Sequence, residues 1–180
     1  GKSHVILNGV NLQKFRPIWE RAERSAKLRK KYCADRTHNI LFAGAIRERK
    51  GVHSLVDAFK LVVKKYPDAK LIIAGGSKDN LEANDAYAKK VRMSAEEIKD
   101  KVVFTGYIPP NEVQDVYLLG DIFVGPSIWD EAFGLVFAEA SACGLAVIGS
   151  RRGGIPEIIE DGKTGLLIDD PENPKEIAEK

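Results

Sequence analysis

Cysteine and histidine are scarce in this chain, with two and three residues in 180. Cys33 and Cys143 lack the C-x-x-C spacing of a zinc or redox pair, and no two of His4, His38 and His53 have metal-ligand spacing. Neither a zinc site nor a redox pair is therefore indicated, and unpaired thiols fit a reducing compartment. Charge of one sign is missing too. The 28 Lys and Arg against 26 Asp and Glu leave a net charge of +2, which makes no case for nucleic acid. No apolar run reaches the roughly 18 residues that span a bilayer. Neither G-x-G-x-x-G nor G-x-x-x-x-G-K-[ST] occurs, which argues against a dinucleotide-binding dehydrogenase and a P-loop enzyme. Ser127, Ser141 and Ser150 sit in no nucleophile elbow, so a hydrolase triad or a flavodoxin-like binder has no support. The basic run Lys27-Leu28-Arg29-Lys30-Lys31 reads as a solvated helix face.

What is present is a core, with 44% of the residues apolar. Short β-rich runs alternate with longer segments of helical period. Strands are predicted over 4–7, 39–43, 70–74, 101–104, 122–124, 145–148 and 165–168. Helices are predicted from Pro17 to about Tyr32 and from Gly51, where Val52, Leu55, Val56, Phe59, Val62 and Val63 recur on one face. Others run from Leu81 to Lys99 with a break near Met93-Ser94, and from an N-cap at Asn111 to Leu119. A further helix lies beyond Phe133 and closes at Gly144, and short ones start at Ile155 and Pro174. Alternation of this kind implies βαβ units and one doubly wound parallel α/β sheet, with ligands at the carboxyl ends of the strands. The chain opens on Gly1-Lys2-Ser3 with no initiator Met, and its last helix lacks a C-terminal cap. A single domain over 1–180, excised from a longer chain, is the expectation.

The most informative stretch is Asp130-Glu131-Ala132-Phe133-Gly134-Leu135-Val136-Phe137-Ala138-Glu139. A strand feeding a loop and then a helix start offers free N–H groups to an anion. Two carboxylates beside it suit hydroxyl groups rather than phosphate. A ligand with both is a nucleotide sugar. Glu139 sits among Phe137, Ala138, Ala140 and Ala142, where an unpaired charge is costly, so it needs a partner. Were the whole segment helical, the two acids would stand about 12 Å apart along it. The loop Gly44-Ala45-Ile46-Arg47-Glu48-Arg49-Lys50-Gly51 places three cations after another strand, where a diphosphate would lie. Arg151-Arg152-Gly153-Gly154-Ile155-Pro156-Glu157 serves either packing or ligand contact; Gly75-Gly76 and 161–165 read as turns.

Glu131 to Glu139 matches the E-x7-E motif of retaining, GT-B-fold glycosyltransferases, the large family 4 or "group 1". Ser127 through Leu167 is similar to that family almost throughout, with Glu-Ala-Phe-Gly-Leu, Gly-Gly-Ile-Pro-Glu-Ile-Ile and Asp-Gly-Lys-Thr-Gly-Leu-Leu. Val5 to Pro17 resembles the segment that enters the family's C-terminal domain. The resemblance implies the donor-binding half of a hexosyltransferase-type enzyme that uses a nucleotide diphosphosugar, usually without metal, while an N-terminal domain carries the acceptor. By itself this half is expected to be inactive. Carried over, Glu139 accepts from the ribose hydroxyls and Glu131 lies beside the donor hexose. Lys50 holds the diphosphate. The backbone of Phe133, Gly134 and Leu135 meets hexose and diphosphate, Gly44 belongs to the phosphate loop, and Tyr107 and Ile108 match the segment that contacts the base. Ala45 stands where the family commonly has an Arg that clamps the diphosphate, which leaves Arg47 and Arg49 as candidates to replace it. The expected location is cytoplasmic, with membrane contact only through the missing part. The alternative is a catalytically inactive nucleotide-binding or scaffold module of the same fold.

Overall fold

A computed structural model describes residues 4, 6, 8–35, 38–76 and 85–180. Within them six strands form one sheet: β1 (His38–Ala43), β2 (Ala69–Ala74), β3 (Val102–Gly106), β4 (Ile122–Gly125), β5 (Ala146–Ser150) and β6 (Leu166–Ile168). Their order is β3-β2-β1-β4-β5-β6, and every pairing is parallel. The helices are α1 (Ala22–Lys31), α2 (Val52–Lys65), α3 (Ala86–Ser94), α4 (Val113–Val116), α5 (Leu135–Ala142) and α6 (Pro174–Glu179). The doubly wound sheet expected from the alternation is present.

Parallel sheets survive only with both faces covered, and the strand sequences meet that demand. All six residues of β2 are buried. Successive side chains alternate between two layers. Leu41, Ile72, Phe123 and Val147 face a layer with Phe137 and Ala140 of α5 and with Tyr117. Phe42, Leu71, Ile73 and Ile148 face the opposite layer, with Val52, Leu55, Val56 and Phe59 of α2 and Val91 of α3. Each such fully buried side chain contributes about 1.5–3 kcal/mol. The apolar stripe predicted for α2 is the one it buries.

Several boundaries differ from the sequence reading. The segment from Pro17 is a 3-10 turn over Ile18–Arg21 before α1 begins. The strand predicted over 4–7 falls partly outside the described residues, and His4 and Ile6 belong to no strand. Positions 81–84 of the predicted 81–99 helix also lie outside them. Its remainder is α3 followed by a 3-10 stretch over Glu96–Lys101, broken where Met93-Ser94 suggested. Asn111 is not an N-cap. The turn after Pro109 carries the chain one residue further, with the Glu112 N–H on the Pro109 carbonyl, and α4 starts at Val113 without a side-chain cap.

The sheet order reverses direction between β1 and β4. Chain leaving β1 moves toward β2 and β3, while chain leaving β4 moves toward β5 and β6. The switch point outside the carboxyl ends of β1 and β4 is where such sheets form a ligand crevice.

Candidate functional site at the switch point

Two loops border that crevice. The first runs from Gly44 through the 3-10 turn Glu48–Lys50 to Gly51, which starts α2 in a left-handed conformation at φ +66°. The second runs from Pro126 to Gly134, the residue before α5, also left-handed at φ +94°. The loops are clamped together. The Ile128 N–H donates to the Arg49 carbonyl at 3.0 Å. A Cβ on Gly51 would collide with the Pro126 carbonyl oxygen, so only glycine permits this approach. Gly75 likewise packs its backbone on the Gly44 carbonyl, which makes Gly75-Gly76 a packing turn.

Lys50 Nζ donates to Glu131 Oε1 at 2.5 Å, and Ser127 Oγ donates to the same oxygen at 2.7 Å. Ser127 is 4% exposed, and both charged side chains are largely covered. Burial pushes the Glu131 carboxyl up. The hydrogen bonds from Lys50 and Ser127, with the charges of Lys50 and Arg49, outweigh it and hold the group below the ordinary carboxylate range. Glu131 Oε2 has no hydrogen bond among the described residues.

Glu139 projects from α5 toward the core. The Tyr117 hydroxyl donates to Glu139 Oε2 at 2.5 Å. Oε1 accepts nothing among the described residues, and the residue is only partly buried. Both acids thus have one oxygen fixed by the protein and one left over. They do not share a helix, as the 12 Å figure assumed. Gly134 breaks the segment, so Glu131 lies in the loop and Glu139 in the helix.

The remaining candidates spread along the same rim. Phe133, Gly134 and Leu135 are the entry to α5, where the first helical N–H groups lie. Arg47 is engaged elsewhere: its Nη1 donates to Asp85 Oδ2 at 2.9 Å, and Asp85 caps α3. Arg49 is exposed, and among the described residues no ion pair or hydrogen bond holds its guanidinium. Tyr107, 41% exposed, and Ile108 follow β3, two strands and about 10 Å from β1. Three partners escaped the sequence reading: Ser127, Tyr117 and Asp85. A signal existed for Tyr117. A tyrosine inside the apolar run Val116–Leu119 needs a partner for its hydroxyl, as Glu139 needs one for its charge.

The loop 151–157 resolves toward packing. The Gly153 N–H donates to Asp130 Oδ1 at 2.9 Å, and the Gly154 N–H donates to the Glu131 carbonyl at 2.7 Å. Arg151 bridges Asp161 and Asp169 and ties down the β5–β6 region. Among the described residues no three His, Cys, Asp or Glu side chains converge as metal ligands, and no helix is long and apolar enough to cross a membrane. Both cysteines are free. A groove of about 810 Å³ lies far from these residues, between α2 and α6 near the strands' amino ends, where His38 and Ile122 line it.

Comparison with known proteins agrees with this fold. The chain is 34% identical over 97% of its length to YtcC of Bacillus subtilis, strain 168, and covers 43% of that protein. It is 35% identical over 92% of its length to the D-inositol 3-phosphate glycosyltransferase of Corynebacterium jeikeium, strain K411, and covers 39% of it. The chain thus spans less than half the length of these curated relatives. Among solved structures, the Anabaena protein Alr3699/HepE in complex with UDP-glucose superposes with a TM-score of 0.84 at 25% identity, over 98% of this chain and 46% of that one. The C-terminal domain of the group 1 glycosyl transferase LpcC from Francisella tularensis superposes with a TM-score of 0.75 at 32% identity, over 95% and 85%. The fold is that of the C-terminal half of a GT-B architecture. The family model for glycosyl transferases group 1 matches residues 24–180, and the chain belongs to that family.

Proposed function

We propose that this chain binds the donor, a nucleotide diphosphosugar, of a retaining glycosyltransferase, and that an N-terminal domain of the same chain supplies the acceptor site. One observation carries the reading: Lys50 and Glu131 form a 2.5 Å ion pair beside the crevice between β1 and β4. A cation already balanced by a carboxylate can turn to a diphosphate and release the carboxylate to sugar hydroxyls. The complex of the Anabaena relative with UDP-glucose supports the same ligand class.

In this reading the bond from the anomeric carbon to the diphosphate oxygen breaks, an acceptor hydroxyl oxygen bonds to that carbon and gives its proton to the departing nucleoside diphosphate, and negative charge builds on that leaving group. Lys50, Arg49 and the N–H groups of Gly134 and Leu135 meet that charge, in a site without a resident metal. Arg49 takes the place of the clamp that Ala45 cannot provide, while Arg47 secures the loop through Asp85. Glu131 orients the hexose and stabilises positive charge at the anomeric carbon. Glu139 accepts from the ribose, and Tyr107 and Ile108 border the base.

Calorimetric titration of the chain with UDP, GDP and ADP tests this directly. Weak binding of at least one is the expected outcome, with no sugar transfer by the chain alone. No heat with any of the three overturns it. The second reading, an inactive module of the same fold, rests on Ala45. Nucleotide binding without transfer by the two-domain protein would favour it.

A further inference from the structure

Tyr117 is fully buried, yet its hydroxyl ends on the charged side chain of Glu139. Its ring packs edge-on to Phe15 at 5.8 Å between centroids and tilts against Phe123 at 6.1 Å. Only the hydroxyl leaves this apolar cage, and it donates to Glu139 Oε2 at 2.5 Å. Burial, and then the charge of Glu139, push the phenol well above its ordinary range, so it stays a donor at any working pH.

A glutamate has three rotatable side-chain bonds and loses much rotamer freedom when it is ordered. On α5, where nearly every neighbour is apolar, no other described group hydrogen-bonds the Glu139 carboxylate. The tie to Tyr117 is therefore what selects its rotamer. It also settles which oxygen does what: Oε2 is consumed by the phenol, and Oε1 remains as an acceptor. A cage of three aromatic rings moves little, so the direction of that acceptor is fixed before any ligand arrives.

We propose that Tyr117 is a positioning residue for donor recognition: by holding Glu139 Oε2 it aims Oε1 at the ribose hydroxyls and so sets the preference for ribonucleotide over deoxyribonucleotide donors. The inference rests on the donor-binding reading above and adds a residue of the core to it. Tyr117 touches no substrate. It acts only through Glu139.

Tyr117→Phe keeps the ring and deletes the donor, which makes it the variant of choice. Wild type and Y117F are titrated with UDP, GDP and ADP and with the 2′,3′-dideoxy counterpart of whichever binds. In wild type the ribonucleotide binds more tightly than the dideoxy form. In Y117F affinity for the ribonucleotide falls about three- to tenfold, the range of one hydrogen bond, while the dideoxy form binds as before. A mere packing role would weaken both alike. Glu139→Asp keeps the charge but retracts it from the phenol, and the same loss of preference is expected there, which covers the case of a Y117F that does not fold. An unchanged ribo-to-dideoxy ratio in folded Y117F overturns the proposal while the donor-binding reading stands; an unchanged ratio in Glu139→Asp overturns it and takes Glu139 off the ribose as well. No binding by wild type of any of the three nucleotides overturns both.

Discussion

Gly153 lies against the backbone of Glu131. A Cβ on Gly153 would stand 2.6 Å from the Glu131 nitrogen and closer still to its carbonyl oxygen. The neighbouring Gly154 donates its N–H to that same carbonyl at 2.7 Å. The β5–β6 connection thus forms the floor that sets where the Glu131 loop can lie, and the acid's position depends on residues more than twenty positions away.

Replacement of Gly153 by alanine is therefore expected to do more than crowd a surface turn. The residue sits at φ +51°, so a side chain adds left-handed strain to the clash with backbone. Together these cost roughly 2–5 kcal/mol. Thermal or denaturant melts measure the loss. A melting curve identical to wild type would show that the two loops yield freely.

Glu139→Ala removes the acceptor proposed for the ribose. Nucleoside diphosphate affinity should fall by about 1.5–3 kcal/mol, the range for hydrogen bonds to a charged group. Helix α5 keeps its apolar contacts in this variant but leaves the buried Tyr117 hydroxyl without its partner, at about 1–3 kcal/mol, so a melting curve accompanies the calorimetry. Unchanged affinity would take Glu139 out of the nucleotide site.

The sheet was readable because parallel strands buried on both faces become continuous apolar runs, such as Ile40–Ala43 and Leu71–Ala74. Helix α2 was readable from its single apolar face. Glu131, Glu139 and Lys50 stood out by motif and position, but their partners did not. Lys50 meets Glu131 across 81 positions, and Tyr117 meets Glu139 across 22. Such pairs depend on topology, to which local pattern is blind. The cap assigned to Asn111 failed for a related reason: residue preference favoured it, and the turn begun at Pro109 overrode it. The split of the acid pair between loop and helix hinged on the positive φ of Gly134. A glycine permits that conformation without announcing it.

The depressed carboxyl of Glu131 predicts a pH signature. Its folded pKa lies below the unfolded value near 4.5. The stabilisation it brings is therefore complete above that value and is lost as pH falls through the folded pKa. Glu131→Gln removes the effect. The variant should be less stable than wild type at pH 7, and the gap should narrow toward pH 3 in denaturant titrations. Parallel stability profiles would mean that the ion pair with Lys50 contributes nothing to folding.

In the two-domain protein the same acid should matter for turnover rather than for nucleotide affinity. Glu131→Ala leaves Lys50 without its internal partner, so nucleoside diphosphate binding is retained. Transfer should drop about 100-fold or more, as when a group that stabilises developing charge is removed. Steady-state kinetics with a donor sugar separate the two effects. Wild-type turnover would leave Glu131 with a structural role alone, as the loop partner of Lys50 and Ser127.

Arg47 and Arg49 sit two residues apart and should behave differently. Arg47 is held by Asp85 and anchors the loop to α3, whereas the exposed Arg49 guanidinium has no described partner and adds its charge to the field at Glu131. Arg49→Ala should weaken nucleoside diphosphate binding, and the weakening should shrink at high salt, because exposed charges are screened over about 10 Å at 0.1 M. Arg47→Ala should leave affinity near wild type and cost stability by about 0–1 kcal/mol, the value of an exposed pair. Titrations of both variants at two ionic strengths decide the matter. Should Arg47→Ala lose the affinity instead, Arg47 must leave Asp85 when the diphosphate binds, and it would be the residue that replaces the clamp absent at Ala45.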